Sequence, residues 1–115
     1  MTPEALEERL LNFCATVCGA LRHLPTGVVG THVAKQLVRS ATSPGANYAE
    51  ARSTESRRDF VHKMQICLKE LRETSVWLRL AARSGLWDGP PLVGECRELI
   101  AIFVSSVTTA KGQRR

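Results

Sequence analysis

The sequence predicts an all-α fold, an up-down-up-down left-handed four-helix bundle, and three observations predict it. Apolar residues recur at three- and four-residue steps in four separate stretches. Short clusters of Pro, Gly, Ser and Thr divide those stretches. Aromatic residues make up only 5% of the chain and β-branched runs are short, which argues against a sandwich or barrel. At 115 residues, 43% hydrophobic and 23% charged, the chain is one globular domain's worth of sequence, and extensive disorder is excluded. The bundle is placed at residues 1–111, with 112–115 read as a disordered basic tail.

Thr2-Pro3-Glu4 opens the first helix: a threonine cap, a proline in the first turn, an acid at the positive end of the dipole. Leu6, Leu10, Phe13, Val17, Ala20 or Leu21, and Leu24 form its stripe, and Pro25-Thr26-Gly27 ends it. This stretch is rich in Leu, Ala, Val and Cys, but Glu4, Glu7 and Glu8 outnumber Arg9, which is wrong for a secretory leader. With no stretch long enough to span a membrane, the expected location is cytoplasmic.

The second helix begins between Thr26 and Thr31, either of which offers a cap, and Val33, Leu37 and Ala41 continue an apolar stripe. Pro44-Gly45 then falls inside helical sequence. Proline lacks the donor and its ring meets the carbonyl four residues back, so a kink is expected near Pro44 before Ala46–Ala51 resumes. Ser56 with Asp59 resembles a capping box for the third helix. There Phe60, Met64, Cys67, Leu71, Thr74, Leu78 and Ala81 alternate steps of four and three, and Ser84-Gly85 is a stop. Pro90 or Pro91 opens the fourth helix. Leu92, Cys96, Leu99, Phe103 and Val107 form its stripe, with Val93, Ile100 and Val104 beside it. That arc is wider than one core needs, so assembly with further copies is expected.

Cys14 and Cys18 share a helix face at a spacing that two metal-bound thiolates could use, but no Cys-x-x-Cys pair or histidine cluster completes a site. Free core cysteines are the favoured reading, with no metal and no cofactor. Phosphate-loop and nucleophile-elbow motifs are missing, and no catalytic residue is assigned.

Two polar seams stand out. Ser40, Ser43, Asn47 and Glu50 share one face of helix two, and Asp59, Lys63, Glu70 and Glu73 share one face of helix three. Three readings compete: a solvated surface, a hydrogen-bonded network that sets register or an interface, and a carboxylate site for metal or acid–base chemistry. The network reading pairs Lys63 with Glu50 or Glu70, and gives Asn47 the backbone groups freed by Pro44.

Sixteen basic against eleven acidic residues give a net charge of +5. Arg52, Arg57 and Arg58 cluster at the turn between helices two and three, and Arg72, Arg79 and Arg83 project from one side of helix three. Such a strip suits a phosphate backbone, or simply solvates a bundle exterior.

The run Gln36-Leu37-x-Arg39-Ser40-x-x-Ser43-Pro44-x-Ala46-Asn47-Tyr48-x-Glu50-Ala51 resembles the signature of four-helix-bundle proteins encoded in intervening sequences of large-subunit ribosomal RNA genes. Ser56-x-x-Asp59-Phe60-x-x-Lys63-x-x-Ile66-x-x-Lys69-Glu70-x-x-Glu73-x-x-x-Trp77-Leu78 extends the resemblance. It implies a left-handed bundle assembling as a ring-like homopentamer. Related accessory proteins of diversity-generating retroelements engage RNA and a reverse transcriptase. The expectation is therefore a non-enzymatic oligomer binding RNA, single-stranded DNA or a ribonucleoprotein through basic surfaces; the alternative is a protein–protein scaffold.

Overall fold

Thr2 and Ser56 start two of the four helices as their sequence predicts. In the computed structural model, which describes residues 1–87 and 92–112, Thr2 Oγ1 accepts from the Ala5 amide at 3.0 Å and opens α1 (Pro3–Leu21). Ser56 Oγ accepts from the Asp59 amide at 3.1 Å and opens α3 (Arg57–Arg83). Each side chain satisfies an amide that the helix itself leaves unpaired. Between them α2 spans Val28–Ala51, and α4 follows at Leu92–Ala110. The proline start expected for α4 and the basic end of the tail lie outside the described residues.

Neither Thr26 nor Thr31 caps α2. Gly27 takes the cap position without a side-chain bond, and the Thr31 hydroxyl donates back to the Thr26 carbonyl at 3.0 Å. The first helix also ends earlier than Pro25, at Leu21, and a turn over Arg22–Leu24 buries Leu24. The end of α3 follows the sequence closely. Gly85 takes φ +76°, its amide bonds the Ala82 carbonyl, and the Leu86 amide bonds the Ala81 carbonyl. This is the left-handed closure that glycine permits. Helix α2 runs through Pro44 without a break, and the buried Cys67 thiol donates to the Pro44 carbonyl at 3.4 Å.

Each helix packs against two others: α2 against α1 and α3, and α4 against α3 and α1. That cyclic order, with short connections, makes a four-helix bundle with extents of 45 × 27 × 22 Å. The predicted stripes meet in one core, in which Phe103, Leu37, Leu71, Leu99 and Val17 are fully enclosed and Tyr48 meets the Phe103 ring edge-on at 5.7 Å. The wide arc of α4 is largely used within the chain. Val93 and Ile100 pack half-buried against the core, and only Val104 of that row is exposed.

All four cysteines are free thiols. Burial pushes Cys67 and Cys96 up to about 12, and burial with the neighbouring Cys18 pushes Cys14 up to about 11. Arg9 clamps α1 to α4 by a bidentate pair with Glu95 (2.8 and 2.7 Å), and its hydrogen bond holds the Glu95 carboxyl below the usual range.

Periodicity does not reveal Gly30. A methyl group there would sit 1.9 Å from the Pro25 carbonyl oxygen, which belongs to the backbone of the α1–α2 connection. Gly30→Ala should therefore destabilise the chain by about 1–3 kcal/mol. At Gly19, where added bulk meets nothing within 4 Å, the same change should stabilise by about 0.5–1 kcal/mol through helix propensity. Urea unfolding of both variants checks this; equal midpoints would refute the backbone clash.

Candidate functional site

The two polar seams meet along the antiparallel contact of α2 and α3, and they sort into an inner and an outer rank. The inner rank has a buried centre and a part-exposed edge. Ser40 and Thr74 are fully enclosed, their hydroxyl oxygens lie 2.9 Å apart, and Thr74 Oγ1 also lies 2.8 Å from the Glu70 carbonyl. Two core-facing polar residues thus satisfy each other inside an apolar layer. Glu70, 9% exposed, takes the Arg39 guanidinium at 3.3 Å, and Arg39 also bonds Glu73. Trp77 Nε1 donates to Glu73 at 3.1 Å, and the Trp77 ring meets His32 edge-on at 5.6 Å.

The outer rank lies nearer solvent. Lys63 pairs with the exposed Glu50 at 2.7 Å, one of the two partners foreseen for it. Asn47 makes no bond to α3. Its amide donates to the Ser43 carbonyl at 3.1 Å and to Ser43 Oγ at 3.0 Å, one turn earlier on its own helix. The expected cross-helix role of Asn47 passes instead to Ser40. Asp59, expected in the seam, serves through its backbone at the cap of α3. By spacing alone, Thr74 falls in the apolar stripe, and nothing local marks Arg39 as a partner of α3. The available signal was a hydroxyl residue on each of two facing helices.

The predicted basic residues divide in two. Arg52 bonds Glu7 at 2.9 Å and Glu4 at 2.8 Å, joining the end of α2 to the start of α1. It is a structural cation, and the Glu7 bond raises its pKa. Arg57, Arg58, Arg72 and Arg83 are exposed and have no acidic partner among the described residues. Arg79 is half-buried, and its Nε donates to the Ser75 carbonyl at 3.2 Å. Lys69 joins the unpaired set. Glu70 and Glu73 lie toward α2, where they are paired, so from Lys69 to Arg83 the exposed side chains of α3 include cations and no carboxylate; the third acid of the helix, Asp59, is exposed in its first turn beside Arg58. Near the start of α3, Arg57, Arg58, Val61, His62, Gln65, Ala110 and Lys111 line an open groove against the end of α4.

Fold and seam together define the class: a small all-α up-and-down bundle whose α2–α3 pair is joined by buried polar contacts and whose surface charge is segregated. The chain belongs to the family of 23S rRNA-intervening sequence proteins, matching it over residues 8–104. It is similar to a solved protein of the S23 ribosomal protein family from Bacteroides thetaiotaomicron, described as of unknown function. The two are 29% identical, with a TM-score of 0.82 over 94% of this chain and 99% of that one. No curated protein matches the chain.

Thr74→Val should cost about 1–3 kcal/mol, because it leaves the Ser40 hydroxyl buried without its partner. Adding Ser40→Ala should recover part of that loss. Asn47→Ala, which breaks only bonds within α2, should stay near 0.5 kcal/mol. Thermal or urea unfolding of the three variants ranks them, and an Asn47→Ala cost matching that of Thr74→Val would refute the division into ranks.

Proposed function

We propose that this chain is an oligomeric, non-catalytic module that binds RNA or a ribonucleoprotein through the basic exterior of α3. One observation carries the reading: the segregation of charge. Seven carboxylates are tied into ion pairs with four cations, Arg9, Arg39, Arg52 and Lys63. The exposed cations of α3 are left unopposed among the described residues. Arg58 to Arg83 spans 25 residues of one helix, about 37 Å at 1.5 Å per residue, long enough to meet several phosphates. Membership of a family described by its ribosomal RNA context agrees with an RNA partner.

Assembly multiplies the effect. A ring-like homopentamer, which the family resemblance implies, would present five such strips, and weak contacts add through effective concentration. Leu11 on α1 and Val38 on α2 remain exposed, away from the basic strip of α3, and offer apolar surface for subunit contact. Native mass spectrometry at micromolar concentration should show a closed oligomer; a monomer alone would remove assembly from the reading.

Fluorescence anisotropy with a labelled single-stranded RNA tests the binding. Affinity should fall steeply as salt rises from about 50 to about 200 mM, the mark of counterion release. Replacing Lys69, Arg72 and Arg83 together by Gln should flatten the slope of log affinity against log salt by up to about three, one for each phosphate no longer neutralised. These residues are exposed, so the unfolding midpoint should hold. No binding near 50 mM salt would leave the protein–protein scaffold as the function.

A further inference from the structure

The basic exterior of α3 is not uniform. Along most of its length the exposed cations, Lys69, Arg72 and Arg83, come from one helix alone. At the start of α3 cations from two elements converge. Arg57 and Arg58 from the first turn of α3 and Lys111 from just beyond the end of α4 line one open groove of about 630 Å³. His62 and Gln65 add polar side chains, and Val61 and Ala110, both half-buried, complete the lining. No carboxylate lines the groove. None of its three cations has an ion-pair partner among the described residues.

We infer that this groove is the anchoring phosphate site of the RNA strand, where cations from two helices close on one phosphate group. The inference rests on the RNA-binding reading and deepens it. The chemistry follows from the residue types. An arginine guanidinium offers a planar fork of donors matched to two phosphate oxygens, and a lysine adds a point charge. The positive end of the α3 dipole lies at the same end of the groove. Lys111 stands at the negative end of α4, with its amide bonded to the Val107 carbonyl, and offsets the one unfavourable dipole nearby. Convergence from two elements also fixes the ligand in place, which a single helix does not do.

The test compares two variants of the whole chain that lose equal charge: Arg58→Gln with Lys111→Gln in the groove, and Lys69→Gln with Arg72→Gln on the strip. All four positions are exposed, and unchanged unfolding midpoints confirm that the fold is intact. Inorganic phosphate titrated into the isotope-labelled wild-type protein should shift amides of residues 57–65 and Lys111 in heteronuclear NMR spectra. The groove variant should lose those shifts and weaken single-stranded RNA binding about ten-fold, against about three-fold for the strip variant, which keeps the shifts. Equal weakening by the two variants, or phosphate shifts scattered along α3, overturns the anchoring site while the RNA reading stands. Shifts in the groove with no RNA binding near 50 mM salt overturn the RNA reading, and with it the assignment of the phosphate to a strand. Vesicles of phosphatidylserine are the third probe. Binding to them that the groove variant abolishes, with RNA unbound, assigns the groove to a lipid headgroup and overturns the inference.

Discussion

The antiparallel register of α2 against α3 is the constraint on which the rest of the bundle depends. Side-chain contacts hold it along the whole length, from Lys63–Glu50 near one end, through Cys67–Pro44 and Thr74–Ser40, to the Arg39 pairs with Glu70 and Glu73. The buried hydroxyl pair is the discriminating one. A slip of one helical turn would part the two hydroxyls and leave Ser40 enclosed among apolar side chains without its partner, at about 1–3 kcal/mol, while Thr74 kept only the Glu70 carbonyl of its own helix. The exposed ion pairs cannot discriminate so sharply, since solvent screens them. Helices α1 and α4 pack onto this pair, α1 against α2 and α4 against α3, and they touch each other less.

The same pairing decides where charge ends up. Glu70 and Glu73 face α2 because the apolar stripe of α3 faces the core and the adjacent arc must then meet the neighbouring helix. Once those acids are matched by Arg39, the charged residues left on the outer arc from Lys69 to Arg83 are all Lys and Arg, with Val76 and Leu80 between them. Stability gains little from these surface pairs, yet the surface field is reshaped by them. A modest net charge of +5 thereby becomes one strongly basic face.

Most of the fold was legible because one-dimensional signals carry it. The heptad-like stripe of α3, the caps at Thr2 and Ser56 and the glycine at the end of α3 each depend on residues within a few positions of one another. The site was legible only in outline. That Ser40, Glu50, Lys63, Glu70 and Glu73 belong to one seam follows from helical spacing. Which hydroxyl meets which does not, because it depends on the offset between two helices. Thr74 at a stripe position reads as a small apolar substitute, and only its place opposite Ser40 gives it a partner. Arg52 reads as a free cation for the same reason, since its carboxylates lie 45 and 48 residues away on α1. Gly30 depends on how the preceding connection folds back, which no local pattern encodes.

The free thiols give this molecule two built-in clocks. Cys14 and Cys18 are half-buried on α1, whereas Cys67 and Cys96 are enclosed on α3 and α4, donating to the Pro44 and Leu71 carbonyls. Only the thiolate attacks an alkylating reagent, and burial suppresses it at the inner pair, so labelling there has to wait for the bundle to open. The outer pair is only half-buried, although burial and the neighbouring Cys18 raise the Cys14 thiol as well. Two half-buried and two enclosed thiols thus report on two depths of one bundle.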